Sequence, residues 1–293
     1  MVTTPKQAIA LLVHRDISQI NSLVKILEKD FDLYIHIDKK ANIDVGDIAT
    51  RNVWKKFRIH WGGYDIVQAT VFLYKEILAT KIPYTHIILL SGDALPVKSN
   101  DYITNYLSAN AGISFMENKV ANELCLNRRR LIWYKEDFRK KVKGIKKLQN
   151  PFRIIRWIQK RLNIKRSTKG FERTGSQWTI LALQHVQHLI DHCQFYKHRF
   201  MAVPDECFVQ NHFTNHHFAY NTNMIYAHWP SKSSFSPHFI DENTYISLLD
   251  SPYLFARKFE AVSVSSAKHI VIKSNNEERV VVYNSLILNK FGQ

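Results

Sequence analysis

The sequence is poor in cysteine and has no long apolar run. Its three cysteines, Cys125, Cys193 and Cys207, lie far apart and form no Cys-x-x-Cys pair, which argues against a disulfide framework and a structural zinc site. The apolar run at residues 8–13 is too short for a signal peptide, and no stretch reaches the roughly 18 apolar residues of a membrane span. Because 45% of the residues are hydrophobic, we expect a globular protein. The odd number and wide spacing of the cysteines favour a protein of the reducing cytoplasm.

Three motifs of nucleotide and metal sites are also absent. There is no Gly-x-Gly-x-x-Gly after the first predicted strand and no Gly-x-x-x-x-Gly-Lys-[Ser/Thr], so neither a dinucleotide site nor a P-loop is supported. No Asp-x-Asp follows a predicted strand, although this pair commonly holds a divalent metal against a sugar-nucleotide diphosphate. If the protein binds a diphosphate, its own positively charged side chains must neutralise it.

Acidic residues are missing from one segment. Residues 139–169 contain thirteen Lys or Arg and no Asp or Glu, and they account for most of the formal net charge of +16. Large apolar side chains recur in this segment at helical spacing: Ile154, Ile155, Trp157, Ile158 and Leu162. A solvated surface, a nucleic-acid groove and a membrane-docking helix are the three interpretations. We favour docking on an anionic membrane surface, because an amphipathic helix with Trp and Ile on one side and Lys and Arg on the other is drawn to anionic lipid, and we expect no nucleic-acid partner.

The rest of the chain alternates short β-rich runs with helical patterns, which predicts an α/β fold with a mostly parallel central sheet flanked by helices. The predicted strands are residues 8–13, 33–37, 53–59, 86–90 and 112–117, with a hairpin of 270–273 and 279–283 turning at Asn275-Asn276. The predicted helices are 17–27, one after Gly62-Gly63, 151–164 capped by Asn150, and 179–192. We expect one domain over 1–260 with a basic insertion at about 139–169, and a C-terminal hairpin extension over 261–293 packed on the same domain.

Polar residues and glycines follow the predicted strands. Ligands of such sheets bind beyond the carboxyl ends of the strands, so these positions are the first candidates for a site. They are residues 14–16, 38–40, 61–63 and 91–93.

Six short segments occur in order between about residue 8 and residue 260. They are Tyr-Ile-His-Ile-Asp-Lys-Lys (34–40), Trp-Gly-Gly-Tyr-Asp-Ile-Val-Gln-Ala (61–69), Leu-Leu-Ser-Gly-Asp-Ala-Leu-Pro-Val-Lys-Ser (89–99), Gly-Ser-Gln-Trp (175–178), Val-Pro-Asp-Glu (203–206) and Leu-Phe-Ala-Arg-Lys-Phe (254–259). Together they resemble the core-2/I-branching β-1,6-N-acetylglucosaminyltransferase family, which includes the peptide xylosyltransferases. The resemblance implies a GT-A-like fold and an inverting transfer of a sugar, GlcNAc or xylose in known members, from its UDP donor to a hydroxyl. It also implies that no metal or other cofactor is required.

The resemblance assigns roles to individual residues. Glu206 matches the catalytic base, and a single displacement needs one such carboxylate to take the proton of the attacking hydroxyl. Lys258 matches the lysine on the donor diphosphate, Arg257 lies beside it, and Lys232 and His238 are candidates for a second cation. The other expected donor-side residues are His14, Asp38, Trp61, Gly62 and Asp93. The expected acceptor-side residues are Glu117, Arg129, Arg130, Gly175, Ser176, Gln177, Trp178 and Asp205.

Each of these segments also has an interpretation without function. Pro204-Asp205-Glu206 can be a turn that leads into a helix, since acidic residues favour the first turn of a helix. The basic pair at 257–258 can be anchored between two core phenylalanines, with its charges in solvent. Asp38 and Asp93 can be turn residues after strands.

Of three functions, the sequence favours the first, a glycosyltransferase that is a bacterial-type member of the family and acts in surface-polysaccharide or lipopolysaccharide assembly. We expect it in the cytoplasm, peripherally bound at the cytoplasmic face of the inner membrane, with a glycan or lipid-linked glycan as acceptor. The second is a nucleic-acid-binding α/β protein that uses residues 139–169. The third is a catalytically inactive glycan-binding protein of the same fold.

Overall fold

The computed structural model describes residues 6–133, 151–214, 220–229, 236–266, 269–274 and 277–282. Its helices are α1 (Ile17–Leu27), α2 (Tyr64–Ala79), α3 (Asn100–Ala109), α4 (Glu123–Arg129), α5 (Pro151–Arg161), α6 (Leu183–His192), α7 (Phe208–Thr214) and α8 (Glu242–Leu248). Its strands are β1 (Gln7–Val13), β2 (Phe31–Ile37), β3 (Val53–Trp54), β4 (His86–Ser91), β5 (Ala94–Pro96), β6 (Ser114–Phe115), β7 (Lys119–Val120), β8 (Arg173–Thr174), β9 (Ile180–Ala182), β10 (Tyr220–Asn221), β11 (Ile225–Ala227), β12 (Phe255–Arg257), β13 (Ala261–Ser266), β14 (His269–Ser274) and β15 (Glu277–Val282). The predicted cap Asn150, the candidate cation Lys232 and the basic residues 139–150 lie outside the described residues.

The central sheet has seven strands in the order β10-β6-β9-β4-β1-β2-β3. The pairs β1–β2, β1–β4, β2–β3 and β6–β10 are parallel, whereas β9 is antiparallel to both of its neighbours. The mixed α/β fold with a mostly parallel sheet, as implied by the resemblance, is confirmed. Because β1, β2 and β4 are parallel, the loops that follow them meet at one edge of the sheet.

Helices cover both faces of the sheet. Ile9 and Leu11 of β1 belong to a core that also contains residues of α1, α3 and α8, whereas Ala8 and Ala10 belong to a second core with residues of α2, α6 and α7. This division follows from the two-residue period of a strand, which sends successive side chains to opposite faces. All four side chains are fully buried. Strands covered on both faces read as continuous apolar runs, as β1 does.

Four predicted elements are wrong in extent. The strands expected over 53–59 and 112–117 are only the short β3 and β6, and the helix expected over 151–164 ends at Arg161. The helix expected over 179–192 is preceded by β9, and α6 begins only at Leu183. The side chains of β9 are almost completely buried, so its short apolar run lacks the alternation that distinguishes a strand from the start of a buried helix.

The C-terminal region contains both strands of the predicted hairpin and one strand more. β14 pairs antiparallel with β15, and β13 pairs antiparallel with β14. The three strands form a sheet separate from the central one. The division of the chain at residue 260 stays a prediction.

Candidate active site

A buried carboxylate lies at the carboxyl end of β4, between two arginines. Asp93 Oδ1 accepts a hydrogen bond from the Ser91 hydroxyl at 2.5 Å and from Nη2 of Arg257 at 3.3 Å. The Nε group of Arg257 also donates to Ser91 Oγ at 3.0 Å. Nη2 of Arg15, in the loop after β1, lies 3.7 Å from Asp93 Oδ2. The strand-end loops thus meet as the parallel topology requires.

Strand pairing brings Arg257 to this position from the far end of the sequence. β12 lies between β11 and β5 in a three-stranded sheet, parallel to β11 and antiparallel to β5. In this register Arg257 is opposite Ala94, the residue after Asp93. The backbone N–H of Phe259 donates to the Asp93 carbonyl at 3.0 Å, which fixes the segment on the other side of Lys258.

Arg257, the last residue of β12, and Lys258, which follows it, have different neighbours. The Arg257 guanidinium lies 4.7 Å from the centroid of the Trp178 ring, in addition to its bonds to Asp93. The Lys258 ammonium lies 4.7 Å from the centroid of the Phe239 ring. Arg257 is therefore bound by groups of the protein itself. These contacts suit a residue that positions the site better than one that binds a ligand directly.

Asp93 keeps its negative charge because cations surround it. Burial by itself would raise the pKa of Asp93, but Arg257, the Ser91 hydroxyl, Lys258 and Arg15 together hold that pKa below its ordinary value. An ionised Asp93 in turn fixes the guanidinium of Arg257 through charge-assisted hydrogen bonds. The carboxylate therefore organises the cations on this side of the site.

His14 lies in the same cluster. Burial and the neighbouring Arg15 lower the pKa of His14, Asp93 and Asp38 act against this shift, and Lys258 adds to it. A lowered pKa keeps the imidazole neutral at physiological pH. His14 is thus available there as a hydrogen-bonding group without adding positive charge.

Asp38, after β2, is bonded to the protein's own backbone. Its Oδ1 accepts hydrogen bonds from the N–H groups of Lys40 and Ile59, each at 3.0 Å. The Lys40 ammonium lies 3.9 Å from Oδ2. These contacts support the interpretation of Asp38 as a turn residue, and its contact with a donor stays a prediction.

The glycine turn before α2 is joined to the segment of the expected base. Gly62 has a φ of +67°, in the left-handed region that favours glycine. Its carbonyl accepts a hydrogen bond from the N–H of Val203 at 3.0 Å. Trp61, beside it, has 42% of its surface exposed. This bond connects the predicted donor side of the site to the residues that precede Glu206.

The backbone is strained just before the expected base. Val203 has a φ of +51°, and a β-branched residue in the left-handed region is an outlier that costs on the order of 1–3 kcal/mol. Pro204–Glu206 then form one 3-10 turn. Asp205 is buried, whereas Glu206 is partly exposed. The turn therefore leaves one of two adjacent carboxyl groups accessible to a substrate.

A glycine contact fixes Glu206 against the strand end of β8. The N–H of Gly175 donates to the Glu206 carbonyl at 3.0 Å, and the Thr174 hydroxyl donates to the same oxygen at 3.1 Å. A Cβ added at Gly175 would lie 1.9 Å from the carbonyl oxygen of Glu117. Only glycine allows the three segments to approach so closely.

Positive charges surround the Glu206 carboxyl. Burial raises its pKa, Arg129 and Arg128 oppose this shift, Glu117 adds to it, and Lys119 opposes it. The buried Arg129 is fixed by bonds from its Nη1 to two backbone carbonyls of the β8 region, at 2.7 and 2.9 Å. Arg129 therefore supplies a fixed charge beside the carboxyl.

The adjacent carboxyl has no such support. Burial and the neighbouring Glu206 raise the pKa of Asp205, and its Oδ1 has no hydrogen-bond partner in the described part of the chain. Burial raises the pKa of both carboxyl groups, and the basic side chains near Glu206 favour its ionised form over that of Asp205.

The segment Gly175–Trp178 bridges the two predicted sides of the site. At one end, Gly175 is bonded to the Glu206 carbonyl, and at the other end the Trp178 ring lies under Arg257. Between them, the Ser176 carbonyl accepts from Gln210 Nε2 at 2.9 Å. Gln177 Nε2 is buried with no partner among the described residues. One four-residue segment thus contacts both the backbone of the expected base and the guanidinium of Arg257.

Some predicted residues have other partners, and some charges were not predicted. Arg130 is bound to Glu123 at 2.5 Å and to Asn127 at 2.7 Å. Glu117 forms an ion pair with Lys119 at 2.6 Å. The sequence points to the loop that contains Arg15 and to the basic run at 128–130, but it does not single out Arg15 itself or Lys119. The position of Arg15 after the first strand was the signal that pointed to it.

No group of three or more His, Cys, Asp or Glu side chains in the described ranges is arranged to hold a metal ion. In the same ranges, none of the helices has the length and apolar character needed to cross a membrane.

Comparisons with known proteins give a family match over most of the chain. A family model described as "Core-2/I-Branching enzyme" matches residues 8–248. "Xylosyltransferase oxt" of Drosophila pseudoobscura pseudoobscura is 27% identical over 112 residues, which cover 35% of this chain and only 13% of that protein. A crystal structure of a putative glucose-1-phosphate thymidylyltransferase from Bacillus anthracis in complex with a sucrose covers 74% of this chain and 86% of its own. Its sequence identity is 10% and its TM-score 0.33, too low to support an argument.

Proposed function

The chain belongs to the core-2/I-branching enzyme family, a family of glycosyltransferases that use nucleotide sugars, and from this premise we propose a specific reaction for it. The protein transfers a sugar of the GlcNAc or xylose type from a UDP-sugar to a hydroxyl of a glycan acceptor. The transfer inverts the anomeric centre and needs no metal. The observation that carries this proposal is the bridge from Glu206 through Gly175–Trp178 to Arg257.

On the donor side, fixed cations take the place of a metal. The departing UDP carries negative charge on its diphosphate, and preorganised positive groups stabilise that charge as it develops. Lys258 contacts the diphosphate directly. Arg15 is the second cation, since it lies at the same strand-end cluster and its side chain is 49% exposed. Arg257, bound to Asp93, positions this group.

On the acceptor side, Glu206 is the base. The attacking hydroxyl gives its proton to the Glu206 carboxylate while its oxygen bonds to the anomeric carbon and the bond from that carbon to UDP breaks. One displacement of this kind inverts the anomeric centre. Arg129 and Arg128 favour the ionised carboxylate, and the proton retained by Asp205 keeps a second negative charge away from it.

The acceptor and the cellular setting belong to the same proposal. Gln177 has an unsatisfied buried amide at the bridge, and we assign it and Glu117 to acceptor binding. The acceptor is a glycan of surface-polysaccharide or lipopolysaccharide synthesis, carried on a lipid at the cytoplasmic face of the inner membrane. A peripheral cytoplasmic enzyme suits such a substrate.

A nucleotide panel tests the donor assignment. Thermal unfolding is measured with UDP-, GDP-, CMP- and dTDP-sugars in EDTA, because a ligand that binds the folded state raises the melting temperature by mass action. A UDP-sugar should stabilise the wild-type protein despite the chelator. Lys258→Ala and Arg15→Ala should each reduce that shift. Lys25→Ala, which removes an exposed lysine of α1, is the matched control and should retain it.

Two outcomes of the panel would contradict the proposal. Stabilisation by a UDP-sugar only after Mn²⁺ or Mg²⁺ is added would assign the diphosphate to a metal. An equal response of Lys258→Ala, Arg15→Ala and the wild type would place the diphosphate elsewhere.

A further inference from the structure

Helix α5 and the turn that follows it expose several large apolar side chains. Trp157 in the helix and Leu162 just after it are each 65% exposed, and Ile154 is 47% exposed. Ile155 and Ile158 are exposed as well. Scattered exposed apolar residues are normal on a protein surface, but a contiguous group on one helix marks an interaction site.

The same helix and the loop after it are strongly basic. Residues 151–169 contain seven Lys or Arg and no Asp or Glu. Arg156 and Arg166 are used within the protein: the Arg156 guanidinium lies 4.4 Å from the centroid of the Trp133 ring, and Arg166 donates to two backbone carbonyls at 2.9 Å. The other charges with described side chains lie at exposed positions: Lys160, Arg161, Lys165 and Lys169.

One side of α5 is attached to the acceptor side of the site. Gln159, the buried residue of the helix, bonds both backbone groups of Ile132: its Oε1 accepts from the N–H at 2.8 Å, and its Nε2 donates to the carbonyl at 3.1 Å. Trp133 Nε1 donates to the carbonyl of Arg128, whose charge acts on Glu206. The helix is thus linked, over a few residues, to the groups around the expected base.

This attachment determines which side of α5 faces outward. Residues two apart on an α-helix differ by about 200° in direction, so Trp157 points nearly opposite the buried Gln159. Arg161 lies two residues on the other side of Gln159 and also points outward. The outward side of α5 therefore combines Trp157, Ile154 and Arg161, flanked by Ile158 and Lys160.

We propose that this side of α5, with the basic loop to Lys169, binds an anionic lipid surface and thereby turns the acceptor side of the site toward the membrane. Apolar side chains enter the boundary between headgroups and acyl chains, and the lysines and arginines contact acidic headgroups. A nucleic-acid strand would satisfy the charges but would leave the isoleucine and leucine side chains in water. The orientation of the site rests on the proposed function, whereas the binding itself does not.

The test is sedimentation of the full chain with vesicles. Phosphatidylglycerol–phosphatidylcholine vesicles should bind the protein, vesicles of phosphatidylcholine alone should not, and added salt should weaken the binding. At about 1 kcal/mol for each basic residue, Lys160→Gln/Lys165→Gln should weaken binding roughly 25-fold. Lys25→Gln/Lys29→Gln makes the same change of charge at exposed positions on and just after α1 and should bind as the wild type does.

A second pair of variants separates apolar from electrostatic binding. Ile154→Ala/Trp157→Ala should weaken vesicle binding at least about tenfold, because it removes the two apolar side chains at the centre of the outward side. Ile82→Ala, at an exposed position outside α5, should have no effect. Circular dichroism and melting temperature verify that each variant is folded.

Three outcomes would overturn the inference. They are no binding of the wild type to anionic vesicles, equal binding of the α5 variants and the wild type, and tighter binding to a single-stranded oligonucleotide than to the vesicles at the same salt. Glu206→Gln should bind vesicles normally. If it does so while the nucleotide panel fails, the proposed reaction is wrong and the membrane surface stands.

Discussion

Replacing Gly175 by alanine should disrupt the position of Glu206. The added Cβ would lie 1.9 Å from the Glu117 carbonyl oxygen, whereas real contacts of this kind are 3.0 Å or longer, so the two backbones must separate by more than 1 Å. This movement weakens the bond from the Gly175 N–H to the Glu206 carbonyl. Overpacking of this kind costs about 1–3 kcal/mol of folding free energy. A displacement near 1 Å at a reacting group lowers turnover by roughly 100-fold.

The assay combines unfolding with turnover. Gly175→Ala should show a lower melting temperature, a large loss of sugar transfer, and a UDP-induced thermal shift that persists, because Lys258 and Arg15 are on the donor side. Gly46→Ala is the matched control, since a Cβ added there has no neighbour within 4 Å. Wild-type stability and turnover in Gly175→Ala would refute the close approach on which the site depends.

Two further variants test the electrostatics through pH. Asp93→Asn should have a lower melting temperature than the wild type at pH 7, because it leaves the largely buried guanidinium of Arg257 without its counter-charge. The expected loss of unfolding free energy is about 3 kcal/mol. Since the folded-state pKa of Asp93 is lowered, the difference in stability between the wild type and Asp93→Asn should shrink as pH falls below about 4. A difference in stability that does not depend on pH would contradict an ionised Asp93. For Asp205 the sign is opposite: its raised pKa means that the wild type loses stability as pH rises from about 4 toward neutral. Asp205→Asn lacks this titration, so its melting temperature should rise relative to that of the wild type over this pH range. A difference in melting temperature that stays constant with pH would contradict a protonated Asp205.

The sequence predicts the parallel half of the fold well because the signals there are local. The helix over 17–27 has the predicted bounds, and β1, β2 and β4 lie within two residues of the expected strands. Buried strands of a parallel sheet are short apolar runs, and the helices between them show a three- to four-residue period. The loops after these strands could therefore be named as the site in advance.

Other features depend on contacts between distant segments. β9 inserts antiparallel between two strands, and its three residues carry no period that a sequence can show. The approach of Gly175 to Glu117 and Glu206 needs three separate segments to be placed first. Arg15 is one of many surface arginines until Asp93 is brought beside it.

The most direct test of the account is turnover without metal by the wild type and by Glu206→Gln. UDP release is measured in EDTA from the UDP-sugar that stabilises the protein, with a glycan-lipid fraction as acceptor. Glu28→Gln is the control, because it removes an exposed carboxyl group at the C-terminal end of α1. The account predicts turnover by the wild type and the control, and a rate lower by a factor on the order of 100 to 10,000 in Glu206→Gln with an unchanged UDP-induced thermal shift. Full turnover by Glu206→Gln, or turnover by the wild type only with Mn²⁺ or Mg²⁺, would contradict it.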